Sequence, residues 1–502
     1  MYRKEDRHQM AFENFYLPFG GKLSGQNRWV ILADQIPWRQ IERRYSQLFR
    51  EDAGCPAKLA RLAFGALVIK ERLGTTDRET VEQIRENPYL QYFLGFSQYS
   101  DKAPFHHSMM THFRKRFGQE VLADINDRIV AGAMGRPAAP SGEPSDSDDE
   151  DQPSNDAMPT NRGKLLVDAT CTPADITYPT DLKLLNDARQ KSEEMIDLMH
   201  ADCVGTKRKP RTYRRKARRE YLALAKQKRP GYKKIRKAIG RQLRYLKRNL
   251  GHIETFVRQG LLPRLNPRMY RNLLVIHELC RQQSWMYENR SHKMSGRIVS
   301  ISQPHVRPIV RGKARSNVEF GAKVSVSLID GFGFVDRIGW EPYNESGDLK
   351  TQIERYRERF GFYPASVHAD QIYRTRENRR YCKAKGIRLS GSPLGRPKKA
   401  TAAELNERRT LARQDEIDRI PIEGKFGQGK RRFTLNLIMA KLAETSEAVI
   451  SISFIVMNLE RILSMPLSFL RCVGGKLRLI LFACVQASRN QPTPTRSMQV
   501  AA

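Results

Sequence analysis

KLLVDAT, residues 164–170, is a short apolar run closed by a carboxylate. It reads as a buried strand that ends at Asp168, and it marks a change of period in the chain. Just upstream lies PAAPSGEPSDSDDEDQPSNDAMPTN (137–161), rich in Pro, Ser and acid and almost free of large apolar groups. Such a stretch buries too little surface to offset the entropy of ordering, so a disordered linker and a domain boundary are expected there. Downstream, residues 181–297 carry helical and increasingly basic sequence. Within it, KRKPRTYRRKARREYLALAKQKRPGYKKIRKAIGRQLRYLKR (207–248) sets about twenty cations against the single acid Glu220, with Tyr213, Tyr221, Tyr232 and Tyr245 among them. A solvated face would mix both signs; cations interleaved with aromatics suit a phosphate backbone with some base or sugar contact.

Strand signals return at VEFGAKVSVSLIDGFGFVDRIGW (318–340), which alternates apolar and small polar residues on both sides of Asp330-Gly331. That is a hairpin pattern, and its turn already accounts for an Asp at 330. Helical DLKTQIERYRERFG (348–361) leads to the strand ASVHAD (365–370), whose last residue is Asp370, then to helical TRENRRYCKAKG and strand-like IRLSG. The sum is a mixed α/β domain, interrupted after its first strand by a basic helical insertion.

The N-terminal region reads as helical. KLARLAFGALVIKERLG (58–74) has apolar residues at helical spacing and stops at a glycine; Thr76 with Glu79 fits a capping box; Pro88 opens YLQYFLGF. His106, His107 and His112 do not share one helical face and have no cysteine beside them, which favours surface or capping roles over a metal site.

The 502 residues carry 89 Lys and Arg against 54 Asp and Glu, a formal charge of +35 and a pI near 10.1, so the natural partner is a polyanion, nucleic acid first. Cys55, Cys171, Cys203, Cys280, Cys382, Cys472 and Cys484 are scattered and form no C-x-x-C pair, as in a reducing compartment without structural zinc. MYRKEDRHQMAFENFY lacks an apolar signal core, and AVISISFIVMNLERIL (448–463) is interrupted by Asn458, Glu460 and Arg461, so a cytoplasmic protein with a buried core element there is expected, with no membrane partner.

IEGKFGQGKRR (422–432) superficially matches a phosphate loop, G-x-x-x-x-G-K, but Arg431 stands where Ser or Thr must hold magnesium, and RQDEIDRIP before it is no buried strand. Pro421 suits the first turn of a helix, which would put Glu423 near its start and Lys430 back on nearly the same face. Three glycines in such a helix weaken it by about 1 kcal/mol each, so a close approach or bend is expected.

Arg419, Glu423 and Lys430, in the spacing R-x-x-x-E-x-x-x-x-x-x-K, resemble the signature of bacterial insertion-sequence DDE transposases, specifically the IS-five group. NRWVILADQIPWRQIE, ENPYLQYFLGF, VDATCTPADITYPTDLKLLNDAR and VHADQIYRTRENRRYCKAKGIRLSG share in the resemblance, which spans most of residues 10–465. The family motif carries a Tyr three residues before the Arg; here Glu416 replaces it. The resemblance implies an RNase H-like mixed-sheet catalytic core at 162–465 with the insertion at about 181–297, preceded by a helical N-terminal domain (1–136) and followed by a tail (466–502). It implies a catalytic and metal-binding triad of Asp168, Asp370 and Glu423 holding two Mg2+ ions, with Mn2+ as substitute. The cations Arg419 and Lys430 would contact DNA, together with Lys207, Arg208, Lys209, Arg211, Arg214, Arg215 and Lys216 of the basic run. Partners implied are terminal inverted repeats, target DNA and a second copy of the chain, in association with the nucleoid. Two alternatives stand beside this reading: a DNA-binding relative without catalysis, and an RNase H-like nuclease that never joins strands.

Overall fold

The computed structural model describes residues 10–18, 20–50, 56–135, 160–201, 208–313, 316–391 and 401–465. The acidic linker up to residue 159, Lys207 and the tail 466–502 lie outside these residues.

The chain begins with helices α1 Arg28–Gln35, α2 Trp38–Ser46, α3 Ala60–Leu73, α4 Asp77–Glu86, α5 Pro88–Phe93, α6 Met109–Arg116 and α7 Gln119–Ala133. Gly74, at φ 67°, ends α3 in the left-handed conformation, and Pro88 occupies the first turn of α5. The Thr76 hydroxyl accepts the Glu79 N–H and so starts α4, while the Glu79 carboxylate turns instead to Gln83.

The first strand, β1, is Lys164–Pro173. It therefore runs past Asp168 rather than ending there. Antiparallel pairing to β3 (Ser316–Ile329) holds it from Leu166 to Pro173, whereas parallel pairing to β5 (Ser366–Ala369) reaches only Val167. Between β1 and β3 the chain forms α8 Asp181–His200, α9 Arg214–Ala225, α10 Tyr232–Arg258, α11 Pro267–Glu288 and β2 Arg307–Lys313. After β3 come β4 Phe332–Gly339, α12 Leu349–Phe360, β5, α13 Arg376–Ala384, β6 Arg388–Leu389, α14 Ala402–Arg432 and α15 Ala443–Leu463. Among the described residues one six-stranded mixed sheet results, in the order β2-β3-β1-β5-β6 with β4 also on β3. The β3–β4 hairpin closes through Asp330 (φ 50°) and Gly331 (φ 83°), the two positive φ values that a tight two-residue turn requires.

The helix that carries Glu423 does not start at Pro421. A full capping box, Thr401 with Glu404, starts α14 at Ala402, and Pro421 lies inside it. The proline removes one helical N–H bond, but Pro421 and Ile417 face solvent, where water can take the orphaned carbonyl. Of the glycines, Gly429 makes the close approach: a Cβ there would fall 2.6 Å from Leu435, whereas nothing lies within 4 Å of a Cβ on Gly424.

α15 is the buried element expected at 448–463, and its Asn458 is satisfied rather than stranded. The Asn458 amide donates to Asn126 Oδ1 and the Gly333 carbonyl and accepts the Gly333 N–H, tying α7, β4 and α15 together. One continuous apolar core runs from α1–α7 through the sheet to α12, α14 and α15. The inserted helices have a separate core, which includes Leu185, Ile196, Leu246 and Leu279. Among the described residues, no helix is long and apolar enough to cross a membrane.

Candidate active site

Val167 on β1 and Ala369 on β5 are the last residue pair of the parallel ladder. Asp168 and Asp370 are the next residues on each strand, so the register alone sets the two carboxylates side by side. Asp168 accepts the N–H of Ala169 (2.8 Å) and Asp370 that of Gln371 (2.7 Å), opening a short turn at 371–373. Burial pushes the Asp168 carboxyl up to about 6; the Ala169 N–H opposes this, Glu345 adds to it, Arg419 opposes and Asp370 adds.

α14 crosses in front of this pair. Glu423, Phe426, Gly427 and Lys430, spaced three or four apart, line one face of a cavity of about 700 Å³ together with Asp168, Asp370 and Arg419. Arg419 reaches both neighbouring acids, with Nη2 2.9 Å from Glu423 Oε1 and Nη1 3.6 Å from Asp370 Oδ1. The carboxylates thus share one cavity without converging on one point: among the described residues no three His, Cys, Asp or Glu side chains are arranged to hold a single ion. His106 bonds Ser108, and its ring lies tilted against that of His107.

The cavity also takes in residues that the sequence pattern did not single out: Lys323, Glu345 and Ile372. Lys323 pairs with Glu345 (3.1 Å) and donates to the Tyr343 carbonyl. The alternation along β3 was a usable signal for Lys323, which shares a strand face with Ser325 and Ser327. Glu345 sits in a turn after the hairpin and carried no such signal. The Tyr373 hydroxyl is buried without a hydrogen-bond partner; burial and the nearby charges of Glu345 and Asp168 raise its pKa far above the usual range.

The basic residues of the insertion divide into two groups. Lys209 and Arg214 both pair with Asp197, at 2.7 and 2.5 Å. Arg208, Arg211, Arg215 and Lys216 are exposed, and Arg211 and Arg248 both lie over the Tyr213 ring. On α10, exposed Lys233, Lys234, Lys237, Arg244, Lys247 and Arg248 recur at helical spacing opposite the face buried in the insertion core.

Comparison with known proteins bears on this arrangement. The family model for a transposase DDE domain matches residues 367–460, which include Asp370 and Glu423 but begin after Asp168. A second model, a transposase domain (DUF772), matches residues 18–116. A curated relative from Rhizobium meliloti, described as an uncharacterized protein ORF8 in the nfe locus, is 32% identical over 161 residues, covering 32% of this chain and 69% of that protein. No solved structure matches the chain. The chain belongs to the DDE transposase family of bacterial insertion sequences.

Proposed function

We propose that the protein binds the terminal inverted repeats of an insertion sequence and the target DNA, and that Asp168, Asp370 and Glu423 carry metal-dependent cleavage and strand transfer from an RNase H-like core. The observation that carries this reading is the placement of two aspartates at one register step on neighbouring strands, with a helix-borne glutamate on the same cavity. The donor set fits a hard divalent cation, since all three side chains offer carboxylate oxygens. Arg419 between two of them supports the same point, because the site already draws positive charge. Magnesium, as two ions for which manganese substitutes, would be held by Asp168, Asp370 and Glu423 and would supply the positive charge that phosphoryl transfer requires.

The remaining chemistry belongs to the chain. Arg419 and Lys430 sit on either side of Glu423 along α14 and can hold the phosphates that flank a scissile bond. The exposed cations of α9 and α10 supply sequence-independent affinity for the backbone. Joining an element to a target requires both of its ends in one complex, which supports a homodimer on DNA.

Incubation with the DNA flanking its own gene and magnesium, followed by mapping of cut and joined products, tests the proposal. Cuts at the element ends with joined product are expected. Cuts without joining would indicate a nuclease, and binding without cuts a DNA-binding protein devoid of catalysis.

A further inference from the structure

Between Ala402 and Pro421, α14 buries a single side chain, and it is a carboxylate, Asp415. A surface helix is ordinarily held by an apolar stripe. Here Leu405, Leu411, Ile417 and Ile420 are exposed instead. Polar contacts to the parallel edge of the sheet take the place of the stripe. Asp415 receives both terminal nitrogens of Arg388 on β6 (2.8 and 3.1 Å) and the N–H of Gly391 (3.1 Å). Gly391 has a φ of +94°, and a Cβ there would lie 2.0 Å from Arg374, so the loop makes this approach as glycine.

His368 on β5, fully buried, faces the same carboxylate, with Nδ1 3.5 Å from Asp415 Oδ1. Its Nε2 lies 3.0 Å from Ser366 Oγ and 3.8 Å from Asp418. One turn further along α14, Asp418 accepts Lys164 Nζ from the start of β1 at 2.7 Å. The next residue is Arg419, and the next turn brings Glu423.

We propose that Asp415, held by Arg388 and Gly391 and reinforced by the Asp418–Lys164 pair, is a positioning clamp that fixes the register of α14 on the sheet. The inference rests on the triad reading above. A slip of one residue along a helix shifts a side chain by about 1.5 Å and turns it by about 100°, enough to remove Glu423 from the cavity. Pro421 weakens the helix at this point, so the stretch before it, which leads to Arg419, is seated by the Asp415 contacts, while Ile422, Lys425, Phe426 and Gly429 seat the stretch after it. Asp415 touches no reacting group; it acts through Arg419 and Glu423.

The test uses the full chain with Asp415→Ala and, on the more exposed partner, Arg388→Gln. Three quantities are measured: the magnesium needed for half-maximal cleavage of pre-bound end DNA, the DNA affinity, and amide exchange across 408–421. Both variants are expected to need roughly 10- to 100-fold more magnesium, the cost typical of losing a partner that orients a ligand. DNA affinity is expected to hold, and exchange to rise in 408–421 while 443–463 stays protected. Wild-type magnesium requirement and exchange in Arg388→Gln would overturn the clamp, as would a uniform rise in exchange in both variants. If the triad reading itself is wrong, the wild type shows no metal-dependent cleavage, and the local exchange comparison still tests the clamp.

Discussion

Asp330 and Asp370 both end strand runs, yet they stand in different chemistry. Asp330 is exposed at φ 50° in the β3–β4 turn, where Asn is equally at home, so Asp330→Asn is expected to change stability by less than about 0.5 kcal/mol and leave cleavage intact. Asp370→Asn is expected to abolish cleavage at saturating magnesium while end binding survives, because the ligand charge acts on the reaction and the cations act on the backbone. Assaying both variants on the same pre-bound DNA decides the assignment; an active Asp370→Asn beside a dead Asp330→Asn would reverse it. Lys425, two residues after Glu423, serves a different purpose from the cations on the cavity. It is buried, and its ammonium donates to the carbonyls of Gly331 and Met457 and to Asn458. Burial, helped by Arg461, lowers its pKa to about 8. Below pH 8 both folded and unfolded chains hold the proton and the cost of the buried charge is fully present. Above it the folded chain sheds the proton first, so stability gains up to about 3 kcal/mol as pH rises toward the unfolded value. Denaturation of wild type and Lys425→Met from pH 7 to 10.5 should show the difference between them moving in favour of the wild type by that order; a constant difference would refute it.

At the scale of the element, α14 makes one substitution act in opposite directions at two places. Gly424→Ala meets open space and is expected to stabilise by about 1 kcal/mol through helix propensity. Gly429→Ala drives a methyl into buried Leu435 and is expected to cost about 1–3 kcal/mol. Denaturant midpoints measure both, and two changes of the same sign would contradict the packing described. Sequence alone showed that glycines in this segment needed a reason. It did not show which one had it, because Leu435 reaches Gly429 only where the chain turns back at the end of α14, and Met457 only from α15.

At the scale of the molecule, the first helices share a core with the sheet, while the insertion carries its own. Calorimetry is expected to resolve two transitions, with α1–α7 melting together with the sheet and α8–α11 separately; a transition belonging to α1–α7 alone would contradict the common core. The charge is as unevenly distributed as the packing. Replacing Arg208, Arg211, Arg215, Lys216 and Arg218 with Ser should lower the salt slope of DNA binding by about four units, a little under one per lost phosphate contact. Lys209→Ser should change it less, since Lys209 is tied to Asp197. An unchanged slope in the fivefold variant would move the DNA surface elsewhere.

The sequence by itself determined the elements whose causes are local. Alternation and a two-residue turn specified β3 and β4, a left-handed glycine ended α3, and the shift from apolar run to basic helices placed the insertion after β1. It also supplied the acids, because residue type and spacing are properties of the chain. Tertiary structure alone decided the extent of β1 beyond Asp168, since the antiparallel partner that prolongs it lies about 150 residues away in sequence. The same holds for α14, whose distant capping box overrides the local preference of Pro421 for a helix start. The meeting of Asp168 with Asp370, and the roles of Glu345 and Asp415, follow from strand register and long-range pairing, which no local pattern encodes.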